Sequence, residues 1–221
     1  MKRIFFVLAT LLIITSGYAQ VNEKSERQFY KQGDWEFGFS SNIGSSSTQT
    51  KGTSISYYSY DNTQYYYTYD YTGNGIYLNL GVSTGFYIFN GLSIEPEFTI
   101  NSYTEGFSVS ILGNLCYTLY LPQKKIFPYV KLGYGLSNGI PSNYDSNPGD
   151  QFESLDLKLI DAGAGLKLMY FPSMAFKMEI NYRSLKGSNG YSYSDQSGSY
   201  SDTSEITTSI FSVSLGISIL L

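Results

Sequence analysis

The chain reads as an all-β protein, an eight-stranded antiparallel up-and-down barrel that spans a membrane. Three observations predict this. The C-terminal stretch Glu205–Leu221 places Phe211, Val213, Leu215, Ile217, Ile219 and Leu221 at alternate positions, with Ser212, Ser214, Gly216 and Ser218 between them. A period of two gives a strand one apolar face, whereas the same spacing would wrap an apolar stripe right round a helix. Seven further stretches alternate in the same manner. Finally, 14% of the 221 residues are charged and 17% are aromatic, against about 25% charged in a typical soluble protein. The closing strand runs to the last residue without a polar tail, as expected where the final strand carries lipid-facing surface.

The N-terminus, residues 1–19, reads as an export signal. Lys2 and Arg3 precede the apolar run Ile4–Ile14, and Gly17-Tyr18-Ala19 forms a small-x-small cleavage site before Gln20. The run falls short of the roughly 20 residues that a membrane-spanning helix needs, and no cysteine near the site offers a lipid attachment point. Cleavage removes two of the 14 basic residues and none of the 18 acidic ones, leaving a net charge of −6. An acidic chain argues against nucleic acid, which favours basic patches. Residues 20–33 then form a polar lead-in expected on the periplasmic side, before a barrel over 34–221.

The first strand, Asp34–Ser45, sets Trp35, Phe37, Phe39 and Ile43 against Glu36, Gly38 and Ser40. Ser46–Thr72 lacks aliphatic alternation apart from Ile55 and reads as a long loop, its base extending the flanking strands as a hairpin. Tyr57, Tyr58, Tyr60, Tyr65, Tyr66, Tyr67, Tyr69 and Tyr71 crowd it. The second strand is Gly75–Phe89. Asn90-Gly91 is a type I′ hairpin signal, since both residues tolerate positive φ. In the third strand, Leu92–Tyr103, Pro96 cannot donate to the ladder, which predicts a bulge or a locally missing bond. A short link at Thr104–Gly106 leads to the fourth strand, Phe107–Leu121, and a turn at Pro122–Lys125 to the fifth, Phe127–Ser137. A second polar loop covers Asn138–Glu153. In the sixth strand, Ser154–Phe171, the apolar parity flips between Leu159 and Ala162, predicting a β-bulge near Ile160. After Pro172-Ser173 comes the seventh strand, Met174–Leu185. Lys186–Ser204 is a third long loop before the closing strand.

Links after strands two, four and six are thus tight, and those after one, five and seven are long. That asymmetry matches short periplasmic turns and longer extracellular loops. Phe86, Phe89, Phe127, Tyr129, Tyr170, Phe171 and Phe176 gather at the tight-turn end, where an interfacial aromatic girdle is expected.

Alternation alone fits two barrels: one with a lipid-facing apolar exterior, and a soluble periplasmic one with an apolar ligand cavity inside. The polar face decides. It holds mainly Gly, Ser, Asn, Thr and Tyr, with Glu36, Glu95, Glu97, Asp161 and Glu179 set against Lys131, Lys167, Lys177 and Arg183. A near-balanced set of charges suits a narrow interior better than a water-facing surface. An eight-stranded lumen is only just wide enough for side chains, so a plugged lumen is expected.

The terminal pattern Ser214-x-Gly216-x-x-Ile219-x-Leu221 resembles the assembly signal of outer-membrane barrels, with leucine replacing the usual final aromatic. With its eight strands and unequal links, the chain resembles the small eight-stranded outer-membrane barrels of the OmpA/OmpX type, often called porin-like. The resemblance is one of architecture and covers roughly all of the mature chain. Nothing like the peptidoglycan-binding domain of OmpA is expected after the barrel. The resemblance implies a bacterial outer-membrane location, insertion by the barrel-assembly machinery, and contact with outer-membrane lipid and lipopolysaccharide. It also implies a monomer and, as in the adhesion and invasion members of the OmpX-like group, host or cell-surface ligands at the loops.

Outer-membrane palmitoyltransferases, lipid A deacylases and omptin proteases use this scaffold with histidine as acid or base. The chain has no histidine, the side chain best poised for proton transfer near neutral pH, so no catalytic activity is expected. Glu95 and Glu97, two apart on the inward face, have the look of paired carboxylates; partnership with lumen Lys or Arg is the plainer reading. Without histidine or clustered cysteine, neither a metal centre nor another cofactor is expected. Cys116 is alone, so it forms no internal disulfide and reads as a packed small residue. The scattered Asp61, Asp70, Asp145, Asp150, Asp195 and Asp202 read as solvated. Dense tyrosine with Ser, Asn and Gly is the composition of adaptable binding surfaces; a solvated hairpin extension is the plainer account. Three readings follow: a structural or adhesive barrel, a narrow channel for small solutes, and the soluble periplasmic barrel turned inside out.

Overall fold

The structure, a computed structural model, describes residues 30–58, 63–103, 106–121, 125–138, 156–171, 173–196 and 198–221. The export signal, most of the lead-in and nearly all of the Asn138–Glu153 loop lie outside the described residues. Eight strands follow one another in sequence order around a closed barrel: β1 (Trp35–Tyr58), β2 (Thr63–Phe89), β3 (Leu92–Tyr103), β4 (Gly106–Thr118), β5 (Ile126–Asn138), β6 (Asp156–Phe171), β7 (Met174–Asp195) and β8 (Gly198–Leu220). Each is antiparallel to its neighbours, and β8 pairs with β1.

The apolar face is the exterior. Phe39, Ile43, Leu80, Ile111, Leu132, Ile160 and Leu215 are exposed, while Glu36, Asn42, Asn79, Asn101, Asp161 and Arg183 are buried. This overturns the inside-out soluble alternative. On β8 the outward apolar residues run from Phe211 to Leu221. At about 3.3 Å per residue and a tilt near 40° that band is roughly 25 Å tall, the height of an outer-membrane hydrophobic belt. Trp35, Phe86, Phe89, Tyr170, Phe171 and Phe176 are exposed at its tight-turn edge, with Trp35 and Phe86 5.0 Å apart and Tyr170 and Phe171 4.6 Å apart. Phe127 and Tyr129, expected in that girdle, instead point inward and are buried.

Two expected loops are strand. β1 continues to Tyr58 and β2 starts at Thr63, so most of Ser46–Thr72 is paired in a register unbroken from Trp35–Phe86 to Tyr58–Thr63. Likewise β7 and β8 fill Lys186–Ser204 up to a hairpin between Asp195 and Gly198. Tyrosine and threonine favour strands, and Ser46–Tyr58 gains a ladder on both sides. Aliphatic alternation stops there because lipid stops, not because the sheet does.

The bulge expected near Ile160 is absent: β6 keeps a constant register with β5 and β7 from Lys158 to Leu168. The parity of residue type flips, but the strand does not. Leu157 and Leu159 face inward and are buried, whereas Leu166 faces out. The Asn90-Gly91 turn also departs from type I′. Gly91 has φ 81° while Asn90 is not in the positive-φ region, and a register shift between Tyr87 and Phe89 takes up the difference. At Pro96 the pairing with β2 is interrupted between Ser83–Glu97 and Phe86–Ile94 in an unchanged register, as a missing donor requires.

A layered lumen and a tyrosine-bearing sheet as candidate functional regions

Inward parity points all nine charged lumen residues into the barrel, and the structure gathers them into two adjoining clusters. In the first, Arg183 reaches Glu97 at 2.8 Å through Nη2 and Asp161 at 3.0 Å through Nε, and its Nη1 donates to the Tyr77 hydroxyl at 3.1 Å. Lys131 Nζ lies 2.8 Å from Glu179, 3.1 Å from Asp161 and 3.4 Å from Glu97. In the second, Lys167 donates to Glu36 at 2.6 Å and to the Tyr87 hydroxyl at 2.9 Å, and Tyr87 donates to the same Glu36 oxygen at 2.6 Å. Lys177 stands 3.8 Å from Glu95 and 3.9 Å from Glu36. Five carboxylates thus face four cations across the lumen. A buried ion is tolerated when it is paired and hydrogen-bonded, and each acid here has a cation within 4 Å.

Apolar layers cap this network at both ends. Toward the end that bears the tall hairpins Tyr77, Leu112, Leu157, Leu159, Leu185 and Ile210 pack together, with Tyr103 against them. The signal for this layer is present in the sequence as apolar residues on the polar parity, the same feature that suggests a bulge. Toward the tight-turn mouth Tyr30, Tyr87, Phe127, Met169 and Ala175 form a second layer. Tyr30 belongs to the lead-in, which the sequence marks only as polar. It adopts φ 60° and is buried, its ring 5.3 Å from Phe127 and 5.4 Å from Tyr87. The Tyr30 hydroxyl donates to Met169 Sδ at 3.2 Å, and Lys167 Nζ sits 4.8 Å from its ring centroid, within cation–π range.

Between the charged clusters a pocket of about 20 Å³ is lined by Asn42, Lys177, Glu179 and Asn181, among others. That is room for about one water. Both amide atoms of Asn181 lack a protein hydrogen-bond partner beside it. Cys116 is inward and fully buried as a packed side chain. Among the described residues no group of His, Cys, Asp and Glu could hold a metal ion.

Beyond the apolar band, β7, β8, β1 and β2 continue as a four-stranded sheet. The unbroken registers extend the lumen wall outward, so the even positions of β1 and β8 and the odd positions of β2 share that face. It carries Tyr65, Tyr67, Tyr69 and Tyr71 of β2. The rings of Tyr67, Tyr69 and Tyr71 follow one another at 6.2 and 6.0 Å, their planes within 29° and 23°. Tyr58 meets Tyr65 edge-on at 5.8 Å near the tip. Tyr69 crosses β1 above Gly52, whose missing Cβ would fall within 2.3 Å of the ring, and donates to Asp202 on β8 at 3.2 Å. Ser54 anchors the same carboxylate at 2.7 Å. On the opposite face Asp70 is held by Gln49 at 3.0 Å and Lys51 at 3.3 Å. Tyr66 stands on that face too, while Tyr57 is half-buried and Tyr60 lies outside the described residues. The outward row Phe211, Val213, Leu215, Ile217, Ile219 and Leu221 closes the barrel against β1.

No protein-family model and no curated protein sequence matches the chain. Among solved structures it is similar to the outer membrane protein OprG from Pseudomonas aeruginosa, with a TM-score of 0.50 and 15% identity over 87% of this chain and 97% of that one. It is also similar to the N-terminal β-barrel domain of OprF from the same organism (TM-score 0.46, 15% identity, 80% and 97% covered) and to Neisserial surface protein A (0.43, 11%, 81% and 96%). The fold is therefore that of the eight-stranded outer-membrane barrels, on the strength of the OprG likeness and the barrel's own geometry.

Proposed function

We propose that this protein is a non-catalytic barrel of the bacterial outer membrane whose lumen is closed to solutes and whose tall sheet engages ligands outside the cell. The layered lumen carries the reading. Two apolar caps enclose a charged layer whose pocket has room for about one water. The carboxylates that could act as acid or base are each held by a lysine or arginine, which supports a structural rather than a catalytic role for them. On this reading residues 1–19 direct export and 20–33 stay on the periplasmic side. The barrel-assembly machinery inserts a monomer, and lipid and lipopolysaccharide surround the Phe211–Leu221 face.

The test pairs two measurements on the protein extracted from membranes. Boiled and unboiled samples should differ in gel mobility, as a detergent-resistant barrel does. Planar bilayers should show no steady conductance above baseline. A stable open channel in the wild type would overturn the closed lumen, and recovery of the protein in a soluble periplasmic extract would overturn the membrane assignment.

A further inference from the structure

The tall sheet carries a surface whose chemistry narrows its partner. Its lumen-side face, among the described side chains, is built from Tyr58, Tyr65, Tyr67, Tyr69, Tyr71 and Tyr200, with Ser54, Ser56 and Asp202 between them. Tyr67 is 67% exposed, and Tyr58, Tyr65 and Tyr71 are exposed as well. No lysine or arginine occurs in residues 52–75 or 187–204. A surface without a cation lacks the charge that draws in phosphate, sulfate or carboxylate groups, so lipid headgroups, nucleic acid and acidic polysaccharides are poor partners. The described acids do not form a cation site either. Asp202 is taken up by Ser54 and Tyr69, and Asp70, on the other face, by Gln49 and Lys51. Nor is it an aliphatic protein-docking patch: among its described residues the face has aromatic rings and hydroxyls but neither leucine nor methionine, and its Ile206 is buried at the base.

What remains is a row of aromatic rings flanked by hydroxyl donors and acceptors. Aromatic faces bind apolar C–H surfaces, and tyrosine hydroxyls bind polar groups at their rims. A pyranose ring offers both, C–H bonds on its faces and hydroxyls around its edge. The spacing of the tyrosine ladder, 6.2 and 6.0 Å, is comparable to the length of one sugar unit in an extended chain.

We propose that the Tyr65–Tyr71 ladder is a binding surface for a neutral glycan chain, with successive sugar rings laid along successive tyrosines. The inference rests on the surface-binding reading above and supplies the ligand class. The probes are cellohexaose, maltohexaose, chitohexaose and mannohexaose, with dextran sulfate as an anionic control, titrated calorimetrically into the detergent-solubilised full barrel. At least one neutral hexaose should bind, and dextran sulfate should not. Tyr67→Ala and Tyr71→Ala should each weaken that binding by about tenfold, the loss expected of a central aromatic contact. Tyr67→Phe keeps the ring and should retain most of it, and Tyr66→Ala, on the opposite face, should leave it unchanged. The proposal fails if no neutral hexaose binds, if dextran sulfate binds more tightly, or if Tyr66→Ala weakens binding as much as Tyr67→Ala. Capture of a protein ligand insensitive to Tyr67→Ala would also count against it. The heat-dependent mobility of the same samples separates the two claims: a shift without glycan binding removes only this inference, and no shift removes the barrel reading beneath it.

Discussion

Within one continuous sheet, the membrane half and the protruding half of β1, β2, β7 and β8 use the same two faces for opposite purposes. In the lower half the outward face is apolar and the inward face mainly polar, between its two apolar layers; in the upper half the outward face is mainly polar and the inward face carries a row of tyrosines. The parity does not change as these strands pass from one half into the other. What changes is the surrounding solvent, lipid below and water above. The lower half is also cross-braced through its middle by ion pairs spanning the lumen, such as Arg183 to Glu97 and Lys167 to Glu36. The upper half has its backbone ladders and a few lateral links like that from Tyr69 to Asp202. Stability should therefore reside below and tolerance to change above.

The sharpest way to break that contrast is Arg183→Ala. It leaves Glu97 and Asp161 buried with one cation fewer, and should cost about 3–5 kcal/mol in a reversible unfolding measurement in lipid vesicles; a loss under 1 kcal/mol would mean the network does not brace the barrel. Next comes Ile217→Arg, outward near the middle of the apolar band, with an expected cost of ~2–4 kcal/mol. Unimpaired assembly of that variant, read by heat-dependent mobility, would contradict the placement of lipid. Removing bulk from the outer cap with Leu159→Ala should cost about 2–4 kcal/mol, and conductance traces would show whether this layer also seals. A smaller effect is expected from Gly52→Ala. The new methyl displaces the Tyr69 ring from β1, so hydrogen exchange should quicken around Asp202 while global stability changes by about 1 kcal/mol or less. Smallest of all is Tyr66→Ala, exposed on the outer face, which should stay within about 0.5 kcal/mol of wild type.

Much of the lower half is legible in the sequence because a period of two reports a strand between unlike surroundings, and lipid against a polar lumen is the strongest such contrast. Every outward residue of the closing strand and every lumen charge can be assigned to its face from that alone. The upper strands resemble loops in sequence because both of their faces meet water. Serine, threonine and tyrosine then fill both, and no aliphatic rhythm marks a pairing such as Tyr58 with Thr63. Leu157 and Leu159 mislead for a related reason. Their change in residue type mimics a change in backbone, when the lumen itself turns from polar to apolar at that level. Tyr30 carries no periodic signal at all, since its place depends on a mouth assembled from strands far away in sequence.

The protruding sheet has one further consequence, for how the ring is fastened. Its four members straddle the joint between the first and last strands, so the β1–β8 ladder runs on from Ser45–Phe211 to Tyr58–Gly198 after the apolar band has ended. That joint links the two ends of the polypeptide and has the largest loop entropy to overcome. β3 and β4, neighbours in sequence, are held by a ladder only from Leu92–Tyr117 to Tyr103–Gly106. The seam hardest to bring together is thus stitched over the greater length, and the protruding sheet also serves as the molecule's clasp.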